Sequence, residues 1–341
     1  MPKRSMTRGP RSHRYSRLVL EPAPVNAAQS RTAPEPNQTT SWCSTSGPRT
    51  PACAWCGSAL GDDAPRDAGK VWCGQCGVAT TSPWPTDAQL EAAYGDWYRP
   101  ESGRFGGVGD ALLRRARSTL ARRIDRTAPA GRVLDVGAGD GTLVSALRDR
   151  GRDAIGLERH ATGEHMQGGE IADVTGTWAA IVFWHSLEHL REPGAALAHA
   201  ARLLAPGGLL VVALPNIASR QAARFGDRWF ALDLPRHLVH VPAAALTAKL
   251  TGVGLHVGRV SHLRGGQVAF GWAHGLVGRL PGHPDLYDAI RAPQARSAPM
   301  SNAARLYAIA AAAVLSPVAM LMAAVEVVTR RGGSVYVEAR R

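Results

Sequence analysis

Beyond about residue 110 the hydrophobic pattern takes two alternating forms. Short continuous apolar runs are separated by segments in which apolar residues recur every three or four positions. Buried parallel strands give the first pattern and amphipathic helices give the second. The pattern predicts helix 111–125, strand 132–137, helix 141–151, strand 153–158, strand 178–184, helix 192–208 and strand 209–216. This order is typical of an α/β fold with a doubly wound, Rossmann-like sheet of seven mostly parallel strands.

The end of the chain combines an apolar segment with an alternating one. Residues 307–328 carry one charge, Glu326, and are long enough to cross a bilayer. Residues 334–340 alternate like the last, antiparallel strand of such a fold, and this strand could not rejoin the sheet after a membrane span. We therefore expect 307–328 to form a helix, or two helices hinged at Pro317, against the domain or on a membrane surface.

Four of the five cysteines form two Cys-x-x-Cys pairs. Sixteen residues separate Cys53 and Cys56 from Cys73 and Cys76, and a glycine follows each pair. Two such turns present four thiolates to one tetrahedral Zn²⁺ ion, and the spacing is that of a zinc ribbon. Because cysteine fills every position, the predicted ion is structural. A redox Cys-x-x-Cys would not explain the second pair, and Cys43 is expected to be free.

The first 50 residues are basic and lack apolar periodicity. They hold eight Lys or Arg against two Glu, within a net charge of +13 for the chain, and we expect a disordered tail. No apolar run near the start is long enough for a signal peptide. The paired cysteines suit a reducing compartment, so we expect a cytoplasmic protein, or one peripheral to the membrane. The predicted divisions are a basic tail (1–50), a zinc ribbon (51–82), a helical linker and cap (83–130), a ligand-binding core (131–261), a helical insertion or lid (262–332) and a final strand (333–341).

A glycine-rich turn follows the first strand of the predicted core. In "VLDVGAGDG" (133–141), three alternate glycines follow a carboxylate, Asp135. A dinucleotide loop would need a glycine where Thr142 stands, and its pyrophosphate would lie near that carboxylate. S-adenosylmethionine has no phosphate and carries an ammonium and a sulfonium, so acids favour it. Glu158, at the end of the next strand, is placed to accept both ribose hydroxyls. The residues expected to hold this donor are Asp135, Gly137, Ala138, Gly139, Gly141 and Glu158.

Four segments carry a family resemblance. "VLDVGAGDG", "GLE", "WHSLEHL" and "LLAPGGLLVVALPN" resemble the class I S-adenosylmethionine-dependent methyltransferases. "DLPRHLVHV" (233–241) is similar to the bacterial branch that carries an amino-terminal zinc ribbon, as are four residues after the cysteines, Pro83, Pro85, Tyr94 and Tyr98. The resemblance covers roughly residues 53–260 and the last strand. It implies methyl transfer and a further donor-binding acid near Asp173, although Ala179 replaces the aspartate that usually opens the fourth strand.

The segment "HSLEHL" (185–190) follows a predicted strand. Its H-x-x-E-H spacing is also a metalloprotease signature, but that chemistry needs a helix, and these residues lie in a loop. In a methyltransferase, His185 would take a proton from the acceptor, contact the donor or pack the loop. Glu188 and His189 would fix the loop through hydrogen bonds.

The later segment "DLPRHLVH" supplies further polar side chains. His237 is the second candidate catalytic residue, beside Asp233 and His240. Arg236 would either hold a phosphate or carboxylate of the substrate or form a surface salt bridge.

The functional prediction is methyl transfer to oxygen or carbon, and less readily nitrogen, on a small-molecule, sugar or lipid-linked acceptor. The predicted cofactors are S-adenosylmethionine as co-substrate and a structural Zn²⁺ ion. One alternative is an RNA-modifying or nucleic-acid-binding protein, suggested by the ribbon and the basic tail. The core lacks the interleaved basic and aromatic residues expected for stacking on bases. A second alternative is a scaffold that binds the donor and transfers nothing.

Overall fold

The computed structural model describes residues 50–95, 103–263 and 266–341. The predictions for Cys43, for Tyr98 and for nearly all of the basic tail lie outside these residues.

The described residues form eleven strands and nine helices. The strands are β1 (Arg66–Asp67), β2 (Lys70–Trp72), β3 (Ala79–Thr81), β4 (Val133–Val136), β5 (Ala154–Leu157), β6 (Met166–Gln167), β7 (Trp178–Trp184), β8 (Leu204–Pro215), β9 (Val239–His240), β10 (His256–Ser261) and β11 (Ser334–Arg340). The helices are α1 (Asp87–Ala93), α2 (Gly107–Thr127), α3 (Thr142–Arg148), α4 (Pro193–Leu203), α5 (Arg220–Phe225), α6 (Ala243–Gly252), α7 (Gly266–Val277), α8 (Leu286–Ile290) and α9 (Asn302–Val328).

The main sheet has seven strands in the order β10-β11-β8-β7-β4-β5-β6. Neighbours from β8 to β6 are parallel, and β11 runs antiparallel to both β8 and β10. This is the predicted doubly wound, Rossmann-like sheet, and the fold prediction is confirmed. The chain builds β4, β5 and β6 in one direction and then returns to β7 beside β4. A crevice opens at this reversal, at the carboxyl ends of the strands.

Both faces of the sheet are buried, as continuous apolar strands require. Along β8, Leu210, Val212 and Leu214 enter one hydrophobic cluster, whereas alternate residues such as Leu209 and Val211 enter another. The first cluster includes residues of α4, α6 and the cysteine-bearing region, and the second includes residues of α2 and α3. The two faces therefore have separate cores.

Element boundaries depart from the predicted pattern in two places. The helix predicted to run to residue 208 ends at Leu203, because β8 begins at Leu204 and includes the Pro-Gly-Gly turn. The short edge strand β6 was not predicted, since Met166–Gln167 is too brief to show alternation.

The cysteine-bearing region shares its sheet with the core. Strands β1, β2 and β3 continue into β9, which belongs to the segment "DLPRHLVH". Cys53, Trp55 and Val78 belong to the same buried cluster as the main sheet. At Gly194, in the first turn of α4, a β-carbon would lie 2.2 Å from the Trp55 carbonyl oxygen. The region is thus packed into the core of the main sheet.

The final strand lies inside the sheet, between β8 and β10. Glu338 on β11 accepts hydrogen bonds from Arg123 on α2 and from the Tyr336 hydroxyl. The last residues therefore join two strands and one covering helix.

The segment before the final strand forms α7, α8 and α9. Helix α9 is continuous through Pro317, so the alternative of two helices hinged there is wrong. Of the described helices, α9 alone is long and apolar enough to cross a membrane by length and composition, and 22% of its most apolar window is buried.

Candidate functional site

The glycine-rich loop turns tightly at the end of β4. The amide groups of Gly137 and Ala138 both donate to the Leu157 carbonyl, at 2.8 and 3.1 Å. Gly137 has φ 74°, a left-handed conformation that favours glycine. A β-carbon there would lie 2.4 Å from the β-carbon of Ser186 in the loop after β7. Glycine therefore lets the loops after β4 and β7 approach closely.

Glu158 lies beside this loop. The Gly139 amide donates to its Oε2 atom at 2.8 Å, so the carboxylate at the end of β5 is fixed against the glycine turn. Asp140 accepts from the Thr142 amide at 3.1 Å. Burial would raise the pKa of Asp140, but the hydrogen bonds from Thr142 outweigh it and lower the pKa. Two carboxylate side chains thus flank the loop, which suits a cationic ligand and disfavours a phosphate.

The structure gathers most, but not all, of the predicted donor-binding residues. Gly137, Ala138, Gly139 and Glu158 line one cavity. Asp135 lies inside β4, paired with Gly156 and Val182, and its side chain is 3% exposed. We expected it at the mouth of the loop, but a strand paired on both sides keeps it beneath the turn. Gly141 begins α3 with φ 70°.

Asp173, where we expected a further donor-binding acid, does not line the cavity. Asp173 ends the short turn Ile171–Asp173 and is exposed. The cavity is lined at this turn by Glu170, Ile171 and Ala172. The structure thus places apolar side chains and a different acid where we expected Asp173.

The cavity is an open cleft of about 2780 Å³. The glycine loop and the loop after β7 form one side, and residues from α7, α8 and the start of α9 form another. Phe230, His274 and Tyr287 line this second side, and the Phe230 ring lies 4.9 and 5.0 Å from the other two ring centroids. The cleft therefore has a polar donor side and an aromatic side.

His185 opens into the cleft directly after β7. Its backbone has φ 53°, and its side chain is 22% exposed. Nδ1 lies 3.4 Å from Glu188 Oε1, and Nε2 lies 3.3 Å from the side-chain nitrogen of Gln267. The amide nitrogen of Gln267 can only donate, so with this side-chain orientation Nε2 of His185 is the acceptor and Nδ1 carries the proton toward Glu188. The arrangement is a histidine backed by a carboxylate.

Glu188 is buried against three imidazoles. It is 2% exposed, and its Oε1 atom lies 3.4 Å from His185 and 3.9 Å from His237. Burial alone would raise the pKa of Glu188, but the interactions with His185, and with His189 and His237, outweigh it and lower the pKa. Glu188 is therefore ionised and can stabilise an imidazolium.

His189 and His237 are held by backbone carbonyls. The Nδ1 atom of His189 lies 2.9 Å from the Arg236 carbonyl and 2.8 Å from the Tyr94 hydroxyl. Burial, reinforced by the neighbouring His237, lowers the pKa of His189 to about 4. His237 donates from Nδ1 to the Ala231 carbonyl at 3.0 Å. Its Nε2 atom lies 3.6 Å from Asp233. Both rings thus have fixed orientations.

Arg236 forms a salt bridge rather than an open anion site. Its Nε atom donates to both carboxylate oxygens of Asp233 at 3.1 Å, and Nη1 donates to the Ala93 carbonyl at 2.9 Å. His240 is buried in β9, 3.1 Å from the Thr81 hydroxyl of β3. Of the two readings of Arg236, the geometry supports the salt bridge, and His240 joins the core to the cysteine region.

The four paired cysteines converge. Sulfur–sulfur distances are 3.6 Å for Cys53 with Cys76 and 3.6 Å for Cys56 with Cys73. Tetrahedral Zn²⁺ with bonds of about 2.3 Å places sulfurs about 3.8 Å apart, so the cluster fits the ion. Among described residues, Glu188, His189 and His237 form the other group whose ligand atoms lie within 4.8 Å of one another.

Sequence reasoning missed Gln267 and the aromatic side of the cleft. Both lie in the segment between β10 and β11, which pattern alone assigns only as helical. The motif "FGWAH" (270–274) shows aromatic residues at helical spacing, but this pattern is equally typical of a helix core.

Residues 111–259 match a family model described as a methyltransferase domain. No curated protein matches the chain. Three solved structures are similar in fold. The [4+2]-cyclase SpnF is 19% identical, with coverage of 76% of this chain and 97% of its own and a TM-score of 0.43. An S-adenosylmethionine-dependent methyltransferase from Archaeoglobus fulgidus is 13% identical, with coverage of 69% of this chain and 100% of its own and a TM-score of 0.40. The CcbJ methyltransferase from Streptomyces caelestis is 19% identical, with coverage of 53% of this chain and 91% of its own and a TM-score of 0.37.

Proposed function

We propose that this chain is a class I S-adenosylmethionine-dependent methyltransferase, which the match of residues 111–259 to a methyltransferase domain supports, and that it methylates an oxygen or carbon atom, less readily nitrogen, of a small-molecule, sugar or lipid-linked acceptor. The observation that carries the proposal is that His185, backed by Glu188, opens into the same cleft as the glycine loop. In this proposal the glycine loop binds the methyl donor, and His185 takes the proton that an oxygen or carbon acceptor loses.

The donor side of the cleft suits a cation. Gly137 and Gly139 allow close approach to the backbone, and Glu158 is held at the loop to accept ribose hydroxyls. When bound, S-adenosylmethionine supplies a methyl group already activated by a positively charged sulfur. The protein therefore needs mainly to align the acceptor and remove its proton.

His185 is the proposed general base. Its Nε2 atom faces the cleft and contacts Gln267, which an acceptor hydroxyl or acidic C–H group would displace. The proton passes to Nε2 as the acceptor atom attacks, and the ring then carries a positive charge. Ionised Glu188, 3.4 Å from Nδ1, stabilises that charge.

His237 serves as a positioning residue in this account. Its Nδ1 atom is bound to a backbone carbonyl, its Nε2 atom faces Asp233 and Glu188, and its side chain is 9% exposed. These contacts support a role in holding Glu188 rather than in reaching the acceptor.

The aromatic side of the cleft supports an apolar or flat acceptor. The rings of Phe230 and Tyr287 and the imidazole of His274 present their surfaces beside one another. Such surfaces favour apolar or planar groups through burial and stacking.

Zn²⁺ at Cys53, Cys56, Cys73 and Cys76 is proposed as a structural ion. Four thiolates leave no position for substrate, and the cluster packs into the core rather than into the cleft. The ribbon also supports a place in the bacterial branch of ribbon-bearing methyltransferases. A cytoplasmic enzyme at the membrane periphery is consistent with the aromatic cleft and the apolar helix α9.

Incubating an extract with methyl-labelled donor tests the proposal. We expect wild-type protein to label a small-molecule or lipid fraction, and His185→Ala to reduce the rate at least ~100-fold, the usual minimum contribution of a general base. His256→Ala, at an exposed position on the edge strand β10 and outside the cleft lining, is the matched control and should retain activity. Label in RNA would support a nucleic-acid substrate instead, and donor binding without any labelled product would indicate a scaffold.

A further inference from the structure

Helix α9 presents an apolar face with no protein against it in the described structure. One stripe, including Ala308, Ala319 and Ala323, is buried against α7 and α8. The opposite stripe exposes large apolar side chains, with Val314 78% and Leu321 63% exposed. From Leu306 to Val325 the helix carries no charged residue, a length of about 30 Å. A face of this extent marks an interaction surface.

The helix is fixed to the domain. Its one acid, Glu326, is fully buried and accepts hydrogen bonds from the backbone and side-chain amides of Gln221 at 2.7 and 2.9 Å, and from Gly333 at 3.2 Å. Strand β11 follows directly and lies inside the sheet. A transmembrane orientation would break these contacts. The partner of the exposed face must therefore bind α9 while the helix stays packed against the domain.

The exposed charged residues at the two ends of α9 are all positive. Arg305 lies in the first turn, where its Nε atom donates to the Ala289 carbonyl of α8 at 3.0 Å, and Arg330 and Arg331 follow the last turn. The buried Glu326 places no negative charge on this face. An apolar stripe between arginines is complementary to an anionic lipid surface, since side chains enter the acyl boundary while guanidinium groups meet phosphates.

A second copy of the chain fits this face less well. An antiparallel pair of α9 helices would place Arg305 of one copy against Arg330 and Arg331 of the other. A parallel pair would place each arginine against its own counterpart. Either symmetric arrangement brings cations together, which destabilises the pair.

The amino-terminal end of α9 also borders the cleft. Met300, Ser301 and Ala304 line it together with Tyr287. We infer that α9 docks the enzyme in the plane of an anionic bilayer, so that the aromatic side of the cleft opens beside the membrane and receives a lipid-linked acceptor. The evidence for membrane docking comes from α9 alone, whereas the lipid-linked acceptor rests on the proposed function.

Vesicle sedimentation of the full chain, without donor, tests the docking. We expect binding to vesicles of phosphatidylcholine with phosphatidylglycerol, and at least about tenfold weaker binding for the double variant Val314→Glu, Leu321→Glu. Leu112→Glu, at an exposed apolar position on α2 (62% exposed), is the matched control and should bind as wild type. Arg330→Gln with Arg331→Gln should also lose about tenfold, and only on anionic vesicles.

Donor binding by each variant, measured separately, shows that the fold is intact. Equal sedimentation of wild type and the Val314, Leu321 double variant would overturn the inference. So would a dimer in the absence of lipid that this double variant dissociates, because the face would then belong to a second copy. Resistance of the bound protein to alkaline carbonate, with protease cleavage of β11 from the opposite side of sealed vesicles, would show a span. Label transfer by wild-type protein to any small-molecule or lipid fraction tests the proposed function separately, because it does not depend on how the vesicle experiment turns out.

Discussion

The backbone conformation of His185, directly after β7, determines where its side chain lies. His185 has φ 53°, a conformation that is uncommon for a residue with a β-carbon. Its amide still donates to the Ala213 carbonyl at 2.8 Å, so the neighbouring strand β8 holds the turn. The side chain then lies between Glu188 and Gln267. Strain of this kind persists where surrounding contacts fix it, and it often marks a functional position.

Gly137→Ala should weaken donor binding at least ~10-fold, or about 1.4 kcal/mol. The new methyl group would meet the Ser186 side chain, and the left-handed backbone disfavours alanine. Calorimetric titration with S-adenosylmethionine measures the change. Gly168→Ala, where a β-carbon meets open space and φ is not positive, is the matched control. Unchanged affinity in the Gly137 variant would remove the loop from the donor site.

Stability should fall as the pH is lowered from about 6.5 toward 4. Burial lowers the pKa of His189 to about 4 in the folded protein, from 6.5 ordinarily, so the unfolded chain takes up the proton first. Thermal melts across this range should show a smaller loss for His189→Gln than for wild type. His160→Gln, at an exposed position, should melt like wild type throughout. Parallel curves for all three proteins would contradict the assignment.

The residues of the site were predictable where a motif fixes the backbone. Three alternate glycines after an apolar run identify the loop, and Glu158 follows from the length of the next strand. The depth of Asp135 was not predictable, because "VLDVG" does not show where the strand stops and the turn begins. The contacts of His237 depend on Ala231 and Asp233 folding back beside it, a tertiary arrangement that spacing does not encode.

At the scale of elements, the cysteine region and the core form one packed unit. Strand β9 extends the small sheet of β1, β2 and β3, and the Thr81 hydroxyl donates to the His237 carbonyl at 2.6 Å. Tyr94, directly after α1, contacts His189 in the loop after β7. The small sheet and the segment after it therefore hold His189 and His237 in place, although these two histidines belong to later parts of the chain.

One zinc ion per chain is expected at the four paired cysteines. Elemental analysis of protein purified without chelator should find it, and the double variant Cys73→Ser, Cys76→Ser should lack it. Cys43→Ser is the matched control and should keep the ion. Because β9 shares this sheet, zinc loss should also lower the melting temperature and reduce activity through disorder of the histidines. Full zinc content in the double variant would contradict the prediction.

Elements with strong periodicity were predictable and those defined by partners were not. Strand β7 was predicted as residues 178–184, and the structure gives these bounds. Thr86 caps helix α1 through a capping box with Gln89, a local signal of this kind. Strand β9 has two residues and exists only because β3 lies beside it, so no local pattern could reveal it.

At the scale of the molecule, the last residues complete the sheet. Strand β11 fills the space between β8 and β10, and its Glu338 is bound by Arg123 from α2. The order of elements alone predicted this strand. The sequence did not reveal that α9 would keep one apolar face exposed, because composition does not distinguish a buried stripe from an open one.

Deleting residues 334–341 should give insoluble protein. Without β11, the backbone groups of β8 and β10 lose their partners, and the apolar strand β8 is left with an open edge. Deleting residues 1–45 is the control, and it should leave solubility and donor binding unchanged. The measurements are the soluble fraction after expression and the size-exclusion profile of each deletion variant, compared with those of the full chain. A soluble, donor-binding protein without its last eight residues would contradict the central position of this strand.

Direct titration with S-adenosylmethionine tests the central claim, that the glycine loop and Glu158 hold this donor. The account predicts one site per chain with micromolar affinity. It also predicts at least ~10-fold weaker binding by Glu158→Gln, about 1.4 kcal/mol, with no change for the exposed control Glu164→Gln. Failure of wild-type protein to bind the donor, equal binding by both variants, or tight binding of NAD in its place would contradict the account.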